Sequence, residues 1–138
     1  MNVEAIGDGI KTALANITAI KQVFAPKEIP DTFNEAVTAL ILPGETNYDE
    51  DFSSNHSARF RIIIVLGKQD QPSALNKLLD FIAPTGSSSV LAALRSDRTL
   101  DGACEDLKVE RNLGAGSITW GGTPYLSTEF EVITYYTS

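Results

Sequence analysis

Glu45, Asp49, Glu50 and Asp51 fall within seven residues and form the densest group in the chain that could do chemistry. Gathered carboxylates can bind Ca²⁺ or Mg²⁺, or supply an acid for hydrolysis. A calcium loop, however, alternates its acidic ligands around a glycine and closes on a bidentate Glu, and this spacing does neither. The cluster therefore reads as a solvated acidic loop, or as one ordered by a partner. His56 is the only histidine, which removes the triads, dyads and zinc sites that need an imidazole base or several nitrogen and sulfur ligands. Lying in a polar stretch, it reads as solvated. Gly114, Gly116, Gly121 and Gly122 surround Trp120, but no Gly-Lys-Ser or Gly-Lys-Thr follows, so they mark a hairpin tip in preference to a phosphate cradle. Ser87, Ser88 and Ser89 lack a nearby base and the Gly-x-Ser-x-Gly pattern, leaving Ser87 or Ser88 as a helix cap. No catalytic residue, metal or cofactor is expected, and the chain does not read as an enzyme.

The elements that would hold these groups follow from periodicity. Val3, Ile6, Ile10, Leu14 and Ile17 recur every three or four residues and predict an amphipathic helix. Gly7 and Gly9 each cost it roughly 1 kcal/mol against Ala, so it must be stabilised by docking. Residues 18–33, with Pro26 and Pro30, read as an irregular or edge connection. Residues 36–42 read as a strand stopped by Pro43-Gly44, and Gly44 to Ser57 as a long polar loop. Ala58 to Leu66 reads as a central strand, wet at Arg59 and Arg61 and covered on both faces from Ile63 onward.

Asp70 can cap a following helix, with Pro72 in its first turn and Leu75, Leu78, Leu79 and Ile82 on its buried face. A break at Pro84-Thr85-Gly86 leads to a shorter helix carrying Val90, Leu91 and Leu94. Residues 97–102 are turn chemistry around Leu100, and a half-exposed strand starts at Ala103. Asn112 to Pro124 reads as a glycine-rich hairpin connection, and Tyr125 to Tyr136 as the last strand. The expected fold is α+β in a single domain: a mostly antiparallel sheet of four to five strands with helices packed on one face.

Composition narrows the partners. The chain has 138 residues, 43% hydrophobic and 21% charged, within the ordinary globular range. A net charge of −7 repels a phosphate backbone, which disfavours tight nucleic-acid binding. Cys104 is the single cysteine, so no intrachain disulfide can form. No apolar run approaches the roughly 20 residues of a membrane span, and no signal-like start is present, so a cytosolic, soluble product is expected.

One stretch carries a resemblance. Residues 85–110, TGSSSVLAALRSDRTLDGACEDLKVE, together with the preceding LLDFIAP, the early Leu42-Pro43-Gly44 and the C-terminal TPYLSTEFEVITYY, resemble the tail terminator (tail completion) proteins of long-tailed bacteriophages. The resemblance implies an α/β subunit of a homo-oligomeric ring, usually a hexamer. Such a ring caps the tail tube protein, ends tail polymerisation and offers a surface to the head-tail connector, while DNA passes through its lumen without specific binding. It implies a virion protein of the tail or neck, assembled in the host cytoplasm. Its work would lie in adhesive edges and loops, making Asp49, Glu50, Asp51 and Phe52 of one loop, and Asn112 and Trp120 of the other, the candidate assembly-interface residues. Other readings of the same features are a small ligand-binding or regulatory domain and a different neck or head-completion protein.

Overall fold

In the computed structural model, residues 1–29, 37–48, 54–68, 72–120 and 122–137 are described. The elements run α1 (Val3–Leu14), β1 (Gln22–Phe24), a 3₁₀ turn (Pro26–Glu28), β2 (Thr38–Asn47), β3 (Asn55–Lys68), α2 (Pro72–Ile82), α3 (Val90–Arg95), β4 (Asp106–Trp120) and β5 (Thr123–Thr137). The strands form one sheet in the order β1-β2-β3-β5-β4, with β1 parallel to β2 and every other pair antiparallel. The fold is α+β, as the element order predicts.

Strand alternation separates the two sides of the sheet. Ala58, Phe60, Ile62, Ile64 and Leu66 of β3, with Phe130, Val132 and Tyr136 of β5, face the main core, where Ile6, Ile10 and Leu14 of α1, Leu78 and Phe81 of α2, and Val90 and Leu94 of α3 cover them. Burying side chains of this size contributes roughly 1.5–3 kcal/mol each, which outweighs the helix-weakening glycines of α1. On the opposite side a smaller cluster of Leu40, Ile63, Val65 and Tyr125 packs with Phe24, Ile29, Leu42 and Ile118.

Several sequence expectations are corrected. Helix α1 ends at Leu14 instead of Ile17, although Ile17 remains buried. Within the irregular connection, Gln22–Phe24 adds a short parallel strand. Pro43-Gly44 does not stop β2, which continues to Asn47 through a register shift between Pro43 and Thr46. Among the described residues no strand pairs with the outer side of β2 beyond Leu40, where a proline sacrifices no ladder bond, and a Cβ at Gly44 would lie 3.1 Å from the Arg59 carbonyl oxygen. Residues 44–47 and 55–57 of the expected loop are therefore strand. His56 is not solvated: it is 8% exposed, paired with Tyr136 across β3 and β5, its ring 5.5 Å from Tyr48 and 5.2 Å from Tyr136.

The buried face of α2 is rotated. Leu78, Phe81 and half-buried Ile82 point inward while Leu79 is 57% exposed, because the larger Phe81 takes the inward position. Asp70 lies outside the described residues. Helix α3 is capped by Ser89, not Ser87 or Ser88: its hydroxyl accepts from the Ala92 N–H (3.1 Å) and donates to the Ala83 carbonyl (2.6 Å), tying the end of α2 to the start of α3. Strand β4 starts at Asp106 instead of Ala103, since residues 101–105 are still turning.

The turn before β4 is built around a strained pair. Leu100 (φ 50°), Asp101 (φ 55°) and Gly102 (φ 87°) are consecutive left-handed residues, and Leu100 is nonetheless buried. The turn is held by N–H donations from Gly102 and Cys104 to the Thr99 carbonyl. Leu100 presses on α1 so closely that a Cβ at Gly9 would lie 2.8 Å from the Leu100 Cβ. Gly9→Ala should accordingly destabilise the protein by about 1–3 kcal/mol through overpacking, although Ala favours an exposed helix by about 1 kcal/mol. Denaturant unfolding measures this, and an unchanged or higher midpoint would show that α1 can shift away from the turn.

Candidate functional site: an open sheet edge and the two hairpin ends

The β4–β5 hairpin is one continuous ladder from Asp106↔Tyr135 to Trp120↔Thr123, where the sequence predicted a flexible connection. Two bulges, between Val109 and Arg111 and between Asn112 and Ala115, allow it. The second is fastened by Asn112, whose side-chain nitrogen donates to Thr128 Oγ1 (2.7 Å) and the Glu129 carbonyl (3.1 Å) and whose oxygen accepts from the Gly114 N–H (2.8 Å). Thr128 completes the ring by donating to the Gly114 carbonyl (2.9 Å). At that position Gly114 has φ 80°, a conformation a side chain would strain. Gly122, also at φ 80°, lies in the tight turn between Trp120 and Thr123.

Past this bulge the outer strand changes character. Leu113 to Trp120, LGAGSITW, contains no charge and no proline, and from Leu113 to Thr119 its side chains are exposed or half-exposed. No strand pairs with the outer side of β4 among the described residues. Bulges and charges on β4 protect its first half, with Lys108, Glu110 and Arg111, but leave the second half as a bare template for another strand.

The sheet face away from the helices carries a ladder of ion pairs. Arg59 Nε meets Glu110 at 3.1 Å, Arg61 Nη2 meets Glu129 at 2.7 Å, and Arg111 Nε meets Glu131 at 2.7 Å. The Arg111 hydrogen bond holds the Glu131 carboxyl below the usual carboxylate range, its charge reinforcing the shift against desolvation. Exposed pairs of this kind add little stability. Their effect is to neutralise a face no helix covers.

Of the residues singled out by sequence, Asn112 is placed as the inward fastener of the bulge. Trp120 closes β4, with its side chain outside the described set, and Asp49, Glu50, Asp51 and Phe52 lie outside the described residues altogether. The two hairpins leave the sheet at opposite ends, since the first strands of the ladder pair Asn47 with Ser57 and the last pair Trp120 with Thr123. Sequence reading overlooked the bare Leu113–Trp120 edge and the Arg–Glu ladder. The ladder had a signal: Arg59 and Arg61, like Glu129 and Glu131, stand two apart and so share one face of a strand.

A groove lined by Ala19, Val37 and Phe81 with Lys21, Lys77 and Asp80 encloses about 260 Å³, below the roughly 300–1,000 Å³ of small-molecule sites. Among the described residues no group of three His, Cys, Asp or Glu side chains could share a metal ion, and no helix is long and apolar enough to cross a membrane. No family model matches the chain, and no curated protein matches it significantly.

Cys104 is 1% exposed, its Sγ 3.6 Å from the Arg98 carbonyl oxygen, and burial, with Asp106, Asp97 and Glu105 adding repulsion, pushes its thiol up to about 11. The thiol stays neutral and unreactive at physiological pH. Because the folded value lies above the unfolded one, its contribution is intact below about pH 9 and is lost as pH rises towards 11, a loss of roughly 2–3 kcal/mol. Unfolding midpoints of the wild type and Cys104→Ala across pH 8 to 11 check this. The wild type should fall more steeply with pH than the variant, and parallel curves would show that the thiol is not the cause.

Proposed function

We propose that this chain is a structural subunit of a phage virion that forms a ring on the end of the tail tube, stops tube polymerisation and presents a surface for head joining. The observation that carries the reading is the open β4 edge. A 15-residue outer strand, bare of charge from Leu113 to Trp120, is held rigidly by its bulge and by the sheet behind it. An edge of this kind gives affinity through main-chain hydrogen bonds, which suits assembly with another polypeptide better than binding of a small molecule. The groove beside α2 is too small to favour the ligand-binding alternative. The resemblance of residues 85–110 supplies the tail-terminator role, and it rests on positions the fold uses as scaffold: the Ser89 cap, Val90, Leu94, Leu100 and the Gly102 turn.

In this role the subunit meets like copies around the ring, a tube subunit below and a connector subunit above. Polymerisation stops because the surface turned towards the head no longer matches the tube protein. DNA traverses the lumen.

The test is native mass measurement of the purified chain alone and with tail tube protein. Rings, expected to be hexamers, should form on tube ends, and added protein should shorten tubes in a dose-dependent way. A chain that stays monomeric and leaves tube length uncontrolled overturns the reading. Binding to connector without binding to tubes would assign it instead to head completion.

A further inference from the structure

Strand β4 leaves the helix layer at the Asn112 bulge. Before it, Leu107 is buried and Val109 half-buried against the main core. Past it the ladder to β5 is regular from Ala115↔Thr128 to Trp120↔Thr123, with Ala115, Ser117 and Thr119 on the side of the helices and Gly116 and Ile118 on the other. Ala115, Gly116, Ser117 and Thr119 are exposed and Ile118 is half-buried. Alternate residues of this stretch turn their N–H and C=O groups away from β5, and no strand meets them among the described residues. With both faces open, a further strand can enter in the plane of the sheet without displacing a helix.

Residue size and charge along the stretch identify the occupant. From Gly114 to Trp120 the residues read G, A, G, S, I, T, W, small before Ser117 and larger after it. Antiparallel pairing of this stretch with a second copy, about a two-fold axis at Ser117 and normal to the sheet, sets every small residue against a larger one. Gly116 falls opposite Ile118, Ala115 opposite Thr119 and Gly114 opposite Trp120, and each pair shares a face. The stretch carries no charge, whereas Asp106, Lys108, Glu110 and Arg111 precede it. In this register those charges run past the other copy's turn between Trp120 and Thr123 and oppose no strand. The far edge of the sheet is a poorer mate. Strand β1 has three residues, and the outer side of β2 beyond Leu40 carries Pro43, a register shift and exposed Glu45.

We infer that the free chain is a two-fold dimer in which the Gly114–Trp120 edges of two copies pair antiparallel around Ser117, joining two five-stranded sheets into one. Both helix layers then lie on one side and both Arg–Glu ladders on the other. Main-chain hydrogen bonds supply the affinity, and the cross-strand pairs of unequal size supply the register. The contact is isologous and closes on itself, so it covers the bare edge without propagating into an aggregate. With seven residues a side, against the roughly 20–30 of a standard interface, the dimer is weak and reversible. The inference goes beyond the ring reading and does not depend on it. The two copies run in opposite directions, which leaves the pair without distinct tube and connector faces. It is therefore the form of the free chain, and it must part before copies of like orientation gather on a tube.

Sedimentation of the purified chain over a range of concentrations, with no tube protein present, tests the pairing. The wild type should pass from monomer to dimer as concentration rises. Ser117 is exposed and meets its own copy at the axis, so Ser117→Lys and Ser117→Glu each set like charges face to face. Each should raise the dimer dissociation constant at least fivefold and leave the circular dichroism spectrum unchanged. An equimolar mixture of the two variants should recover dimers, because the ammonium of one then faces the carboxylate of the other. Amide exchange in the wild type gives a readout that needs no variant: protection over residues 114–120 should rise with concentration. A wild type that stays monomeric overturns the inference. So do variants that dimerise like the wild type, a mixture that does not recover dimers, and protection that is independent of concentration. Because no tubes are present, each of these failures leaves the ring reading standing, and failure to cap tubes leaves the dimer standing.

Discussion

The contact between Gly9 and Leu100 constrains the rest of the structure. Leu100 enters the core from a turn of three left-handed residues, and only a hydrogen at Gly9 lets α1 approach it. The approach sets the depth at which Ile6, Ile10 and Leu14 reach the sheet. It also fixes where the chain leaves the turn to begin β4, and so the position of the outer strand. Gly7 repeats the device against Pro26, whose Cδ would lie 3.0 Å from an added Cβ. The two glycines lower intrinsic helix propensity, and the protein recovers that cost as packing.

Periodicity made most of the fold legible. The stripe from Val3 to Leu14 and the inward sets Ala58-Phe60-Ile62-Ile64 and Phe130-Val132-Thr134-Tyr136 appear in the sequence as spacings of three to four and of two, and they fall where expected. What periodicity could not show was continuity through residues that usually interrupt strands. Pro43-Gly44 and the glycines after Asn112 carry turn chemistry, yet each lies at a sheet edge beside a bulge, where a missing donor or a missing side chain is tolerated. The decisive groups, Thr128 and the Glu129 carbonyl, lie more than a dozen residues from Asn112. Likewise His56 reads as solvated until β5 brings Tyr136 beside it. Local signals lost wherever a partner distant in sequence satisfied the same backbone.

The candidate surfaces were less legible than the fold for a related reason. Charge runs are visible in sequence, so the acidic stretch from Glu45 to Asp51 stands out immediately. The lining of the small cavity beside α3 does not, because Arg95, Arg98 and Leu107 belong to a helix end, a turn and a strand that converge only after α3 packs beside β4. The bare half of β4 was hidden by its own composition: glycine, alanine and serine look like a linker until the ladder to β5 shows them to be a strand.

The distribution of charge bears on how DNA would pass through the proposed ring. On the uncovered face three arginines and three glutamates cancel in pairs, while the chain as a whole carries −7. These pairs do not repel a phosphate backbone by net charge. They discourage binding differently, because Arg59, Arg61 and Arg111 already donate to carboxylates, and a phosphate could recruit them only by breaking those bonds. Pairing withdraws the arginines from nucleic acid while preserving a polar surface where the sheet has no helices. In a conduit, that combination lets DNA slide whether the lumen is lined by the paired face or by the acidic remainder.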